Sequence, residues 1–378
     1  MPRPSTIPAA LLAAGCVLLA AACGTEREAR AASTGPLAVA STVPGWAFRQ
    51  AAIVGADGDS ETTLFGVMND VQEDAEGNFY VLNFGDKRVL VFDRDGRHLR
   101  TVGRKGRGPG ELQAPASAAL VGDDALFVLD ATLSTLVEYS RSTGKHVRNV
   151  PLDRKLGFAM DAHPAGDGAV AVKFEPVSPG QGAGTRPVVM RVSVSDGRAT
   201  PLVQLDSLLQ VVVTGPKPGA QLVEPPFAPR PVWTVAPDGT VLFGNGARYE
   251  VKRAGPGGTG VLFQASAPAA RVTAADRRGY QEANPVLDSV GRKMDFPETK
   301  PYFSNLMADP RGGVWVQVPS SDPGQRWEVR SATGEKRGEV RLPERARIAG
   351  LTGTSLYVVR NDADDQEILH RLAREDAR

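Results

Sequence analysis

The feature that most constrains this chain is a repeat. Residues 66–103, GVMNDVQEDAEGNFYVLNFGDKRVLVFDRDGRHLRTVG, return in looser form as 117–150, SAALVGDDALFVLDATLSTLVEYSRSTGKHVRNV. Tyr80 aligns with Phe127, Phe92 with Tyr139, Gly96 with Gly144 and His98 with His146, at an offset of 47 or 48 residues. A fixed period of that length marks a stacked-repeat architecture. Each unit reads as an entry strand, an acidic or glycine turn, an aromatic strand, a strand of the RVLVFD type, a second turn and a last strand. Further copies begin at AMDAHPAGDGAVAVKF (159–174, ending with 186–205), and then at 232–264, 305–343 and 346–373. Asp-Gly pairs at 57–58, 95–96, 167–168, 196–197 and 238–239 suit tight hairpin turns, because both residues tolerate positive φ.

A four-stranded meander cannot bury both its faces alone, and radial stacking of several meanders does so. The expected fold is therefore all-β: a six-bladed β-propeller of four-stranded antiparallel blades. An open ring would expose sheet edges and end faces. The sixth unit lacks a clear last strand, and WAFRQAAIVG (46–55) is a spare strand ahead of the first unit. That N-terminal strand is expected to complete the sixth blade and close the ring.

Trp46, Phe65-Gly66, YVLN, VFDRDG, GRKGRGPGEL, YEVKR and DPRGGVWV occur in this order. In that order they resemble the bacterial six-bladed β-propeller lipoproteins, an NHL-repeat-like family. Leu112 stands where Phe is usual there, and Asn83 where Asp is usual. The resemblance spans roughly residues 45–375. It implies a fold and an export route, and little about activity, since propellers host many functions.

The N-terminus agrees with export. Arg3 precedes an apolar run from Ile7 to Cys23, which GTEREAR then breaks with charge. The run is short for a spanning helix, which needs about 20 residues, and it suits a secretory signal. Cys16 and Cys23 are the only cysteines. Cys23 follows LAAA, as in a lipoprotein signal, with Ala20 at the position where Leu is usual. The expected division is a signal peptide over 1–22, a flexible tether over 23–44 lipidated at Cys23, and the propeller over 45–378. A competing cut after Ala29-Arg30-Ala31 would release a soluble exported protein. The formal charge of +1 argues against nucleic acid as a partner, since such binding draws on a strong positive field.

The glycine-rich stretch GRKGRGPGELQAP (103–115) lacks the Lys-Ser or Lys-Thr pair of a phosphate-binding loop and leads into a strand. It is expected to connect blades one and two. Its functional alternative is an anion-binding lip of Arg104, Lys105 and Arg107 beside the channel.

The Pro-rich stretch 214–233 and the segment 272–293, with Thr273 as a helix cap, are insertions between repeats. Loops on a rigid scaffold commonly carry recognition. Phe227, Arg230, Trp233, Arg277, Arg278, Tyr280 and Tyr302 are therefore the candidates for a mouth over the axis. Asp362, Asp364 and Asp365 form a weak calcium candidate without the spacing of a 12-residue EF-hand loop. Asn83 and Asp130 end matching strands and are expected to bind turn amides. His98 and His146 fall on outer strands and are expected to be solvated, so the four histidines offer no converging zinc set. No nucleophile elbow or dinucleotide fingerprint occurs, no cofactor is expected, and catalytic residues are not assigned.

The reading these features favour is an exported, membrane-tethered propeller that binds an envelope protein or glycan without catalysis. A metal-dependent hydrolase or lyase with its site in the central channel is the alternative, and a structural spacer a third.

Overall fold

The computed structural model describes residues 35–55, 67–166, 168–176, 186–207, 211–214, 220–284, 296–362 and 364–376. Six four-stranded antiparallel blades form a ring. Blade one comprises Met68–Glu73, Phe79–Asn83, Arg88–Phe92 and His98–Val102, and blade two Pro115–Val121, Ala125–Asp130, Thr135–Ser140 and His146–Pro151. Blade three comprises Phe158–Pro164, Ala169–Glu175, Val188–Ser193 and Ala199–Gln204, and blade four Val232–Val235, Val241–Gly244, Glu250–Gly255 and Gly258–Gln264. Blade five comprises Asn305–Ala308, Val314–Val318, Gln325–Arg330 and Lys336–Leu342. Blade six has Ala346–Leu351, Ser355–Asn361 and Glu367–Asp376 from the C-terminal end, and Trp46–Val54 as its outermost strand.

The middle strands read as unbroken apolar runs because both their faces are covered. Neighbouring residues of a strand point to opposite faces. Phe79 packs toward blade six against Tyr357 and Val359. Its neighbour Tyr80 packs toward blade two among Ala118, Leu126 and Val128. Both are buried.

The turn residues hold the ring as well as shaping hairpins. The turn glycines Gly96, Gly144, Gly197 and Gly334 have φ between +70° and +87°. Each also lies against the outer strand of the preceding blade: Gly96 on Ala52 and Val54, Gly144 on Arg100 and Val102, Gly197 on Val150 and Pro151, Gly334 on Leu262 and Phe263. A second recurring device ties the first turn to the aromatic strand. Asp74 accepts from the Tyr80 hydroxyl at 3.0 Å, and Asp309 accepts from the Trp315 indole at 3.1 Å, six residues apart in both cases.

The closing strand runs antiparallel to the last, from Trp46 opposite Asp376 to Val54 opposite Leu369. Trp46 stacks on Trp315 of blade five at 6.0 Å, and Phe48 meets the same indole edge-on. Arg374 lies 3.4 Å over the Trp46 ring and donates through Nη1 to both oxygens of Asp309 at 3.0 and 3.1 Å. Gln50 bonds the buried His370 ring at 3.1 Å.

The chain upstream of this strand is also fixed. Ala40–Ser41 adds a fifth strand to the outer edge of blade five, paired with Val340 and Arg341. Leu37 and Val43 are only 5% exposed. This corrects the expected tether over 23–44, whose part from residue 35 onward belongs to the propeller. Apolar side chains at 37 and 43 cover the flank of blade five, a contact that local composition does not reveal. Residues 1–34, with the signal segment and Cys23, lie outside the described residues, as does Phe65-Gly66.

Blade six meets blade one through a close approach. A Cβ on Gly350 would stand 2.5 Å from the Val71 carbonyl oxygen. Gly350→Ala is expected to destabilise the protein by roughly 1–3 kcal/mol, because backbone cannot yield as a side-chain tip can. Urea unfolding checks this: the midpoint should fall with the slope unchanged.

Candidate functional site: the axial cavity and the connector face

In a ring of four-stranded meanders all connections fall on two faces. The turns at 74–78, 122–124, 236–240, 309–313 and 352–354, and the described residues between Pro164 and Ala169, lie at the far ends of the inner strands and are short. The opposite face carries the connections between blades: 103–114, 152–157, and the described parts of those that leave Gln204 and Gln264 and return at Val232 and Asn305. Recognition surfaces are built where a scaffold can vary its loops.

Inner strands of five blades line a cavity of about 390 Å³ on the axis, with Asp70, Gln72, His163, Thr234 and Thr352 among mostly apolar residues such as Met307. A belt of side-chain acceptors links neighbouring inner strands around it. Asp70 accepts from the Ala118 amide at 3.0 Å, Ser117 from the Ala162 amide at 2.8 Å, and Thr234 from the Ala308 amide at 3.1 Å. These sheets share no strand ladder, so the belt satisfies amides that would otherwise face the channel.

His163 and Asp161 share one face of the blade-three inner strand, with Nε2 and Oδ2 3.4 Å apart. The imidazole also packs edge-on against Trp233 at 4.7 Å. The Trp233 indole N–H is buried without a hydrogen-bond partner. Desolvation alone would lower the His163 pKa. The Asp161 carboxylate and, more weakly, Asp70 outweigh it, and the pKa is raised. Desolvation pushes Asp161 up, but His163 and Lys173 hold it below the usual range. Asp70 is raised, chiefly by desolvation. The axis thus holds a histidine that favours its cation, an ionised carboxylate and a second carboxylate drawn toward its neutral form. Such a group can donate and accept protons or hydrogen bonds near neutral pH.

A histidine whose folded pKa is raised contributes stability in full below its unfolded value, near 6.5. That contribution is lost as pH rises through the folded value. Nuclear magnetic resonance titration is expected to give His163 a midpoint above that of a free histidine. Asp161→Asn should bring the midpoint down, and an unchanged midpoint would contradict the pairing.

Sequence patterns missed His163 as an axial residue. Its signal was present in the strand AMDAHP, where Asp161 and His163 alternate as polar residues on an inner strand. His98 and His146 do lie on outermost strands, with Thr101 and Asn149 as partners. Asn83 and Asp130 bind turn groups: Asp130 accepts from the amides of Gln113, Ala114 and Leu133, and Asn83 accepts from that of Asp86.

The glycine-rich stretch folds around its own carboxylate. Glu111 accepts from Arg104 Nε and from the Gly108 amide, both at 2.8 Å. Leu112 is fully buried between blades one and two. The Gly110 carbonyl accepts from Tyr139 at 2.9 Å, and a Cβ there would strike His146 of the outermost strand. The stretch joins blades one and two, as expected, and the geometry does not favour its alternative as an anion-binding lip beside the channel. The stretch carrying Arg104, Lys105 and Arg107 packs on the outer half of blade two, and Glu111 already fills its cradle.

The candidates in the insertions divide. Trp233 and Tyr302 do not shape a mouth. Trp233 is a buried inner-strand residue, and Tyr302 stacks on Tyr249 at 5.9 Å beside the core between blades four and five. Arg230 pairs with Glu224 at 3.4 Å. Arg278 is exposed on the helix Ala274–Ala283, which Thr273 and Asp276 cap reciprocally, as expected. Phe227 and Tyr280 do come together, with Phe296 as a third ring at 5.7–6.3 Å. Arg277 lies 5.3 Å over Phe296 and Lys300 5.9 Å over Phe227. All three rings are half-buried. Phe227 has φ +53°, a strained value for a bulky residue. Residues 285–295 of the second insertion lie outside the described residues.

The calcium candidate is also corrected. Asp362 Oδ1 accepts from the amides of Asp364 and Gln366, and Asp365 is held by Arg345. The carboxylates shape a turn instead of converging. Among the described residues no group of three or more His, Cys, Asp or Glu is placed to hold a metal ion.

Residues 60–163 match a family model described as a 6-bladed beta-propeller. No curated protein matches. Among solved structures, the chain is similar to a member of the duf4221 family from Bacteroides vulgatus, at 11% identity and a TM-score of 0.54. That likeness covers 90% of this chain and 99% of the other. It is also similar to a protein from Bacteroides fragilis named for its inferred export, at 12% identity and a TM-score of 0.52, covering 88% and 94%. At such identities the likeness carries the fold. Among the described residues no helix is long and apolar enough to cross a membrane.

Proposed function

We propose that the protein is an exported propeller, tethered to a membrane through a lipid on Cys23, that binds an envelope protein or glycan on its connector face. The observation that carries this reading is the trio Phe227, Tyr280 and Phe296 with Arg277 and Lys300 around it. Two separate insertions contribute to it, beside the inter-blade connections. Half-buried aromatic rings present flat apolar area at low entropic cost, and flanking cations add direction. A sugar face or an aromatic-rich peptide suits such a surface.

Affinity capture from a membrane fraction tests it, with the wild-type protein beside Phe227→Ala and Tyr280→Ala. A partner retained by the wild type and weakened about tenfold by either variant supports the reading. Equal retention by all three overturns it.

The axial Asp161–His163 pair favours a second reading, a hydrolase or lyase acting in the channel. Its carboxylate and imidazole have the pairing that general acid–base catalysis uses. Turnover of a lactone or other small substrate that Asp161→Asn and His163→Gln abolish, while the connector-face variants retain it, would favour this reading over the first.

A further inference from the structure

We infer that a second cavity, at the edge of the connector face between blades two and three, is a binding site for a small apolar carboxylic acid. The cavity measures about 540 Å³ and is lined by Ala131, Thr132, Ser134, Arg154, Gly157, Phe158 and Met160. That volume lies within the range of small-molecule pockets. Its walls come from the middle turn of blade two, from the 3₁₀ turn Arg154–Leu156, and from the first residues of the blade-three inner strand.

Two observations fix the chemistry. Phe158 and Met160 are 57% and 42% exposed, the only two large apolar side chains so exposed within one strand among the described residues. Burying a Phe or Met side chain is worth roughly 1.5–3 kcal/mol, so leaving both in water wants a reason. Arg154 stands beside them, its guanidinium anchored by Nη2 donating to the carbonyl oxygens of Leu133 and Thr132 at 3.0 and 3.5 Å. No carboxylate lines the cavity, so this cation faces it uncompensated.

Ser134 is held at φ +53°, a strained value for a residue with a side chain, and Gly157, at φ +116°, sits where a Cβ would stand 2.2 Å from the Glu175 carbonyl, so only glycine fits there. A pocket with an apolar floor and one cation matches a carboxylate on an apolar body. This site is separate from the aromatic trio and does not depend on the reading proposed for it.

Isothermal titration with decanoate, decanol and butyrate tests the assignment. The wild type should bind decanoate saturably, with decanol and butyrate each at least about tenfold weaker. Arg154→Gln should erase the preference for decanoate over decanol. Phe158→Ser should weaken both long-chain probes about tenfold. Both Arg154 and Phe158 are exposed, so an unchanged thermal transition is expected to show that these two variants fold. Absence of saturable decanoate binding by the wild type, or affinity that neither substitution moves, would overturn the proposal.

Discussion

Deleting residues 35–55 is expected to leave a chain that no longer unfolds in one cooperative transition. The deletion removes the whole outer strand of blade six and the fifth strand of blade five. It bares Trp315, Leu369 and Leu372, all now fully buried, and takes away the Trp46 and Phe48 rings that cover Trp315. Large aromatic and aliphatic side chains lost together cost more than the roughly 5–15 kcal/mol that holds an ordinary domain. Circular dichroism during urea unfolding checks this. A broad, shifted or absent transition is expected. A transition like that of the full chain would mean that the ring closes without its N-terminal strand.

The second large effect is expected at Arg374. Arg374→Ala leaves the Asp309 carboxylate, 2% exposed at its side chain, without its cation. Breaking one partner out of a buried ion pair costs about 3–5 kcal/mol, because the remaining charge stays desolvated. The loss also removes the cation from the Trp46 face. Arg374→Met paired with Asp309→Asn should recover part of the loss, since neither half is then an unpaired charge. Equilibrium unfolding of Arg374→Met, Asp309→Asn and the variant carrying both gives the coupling as a double-mutant cycle. Strict additivity would contradict the pairing.

What the sequence carried plainly was the set of local patterns. Asp-Gly turns, strand lengths and the aromatic-strand spacing follow from steric rules acting over a few residues. The 47–48-residue offset joined them into blades. The closing strand was also legible, because the sixth repeat lacked a strand and 46–55 had no blade of its own. The same local rules cannot show what meets across the ring. Arg374 and Asp309 are 65 residues apart in sequence, and the Trp46–Trp315 stack joins residues from opposite ends of the chain. Leu37 and Val43 sit in small, polar sequence that looks like a tether, and only the flank of blade five explains them.

The candidate site divides in the same way. Phe227 and Tyr280 were recognisable as insertion residues, yet Phe296, the third ring, comes from a stretch with no pattern of its own. Trp233 looked like a loop residue because prolines precede it, but its strand begins at Val232. The arginines and lysine of 103–115 suggested an anion site. Glu111, in the same motif, turned out to be the anion.

Hydrogen exchange under native conditions tests the closed ring most directly. The hydrogen-bonded amides of Trp46–Val54 and Glu367–Asp376 are expected to open only with the whole molecule, at the same free energy as those of Phe79–Asn83 in the middle of blade one. Exchange of Trp46–Val54 through a low-energy local opening, while Phe79–Asn83 stays protected, would contradict it.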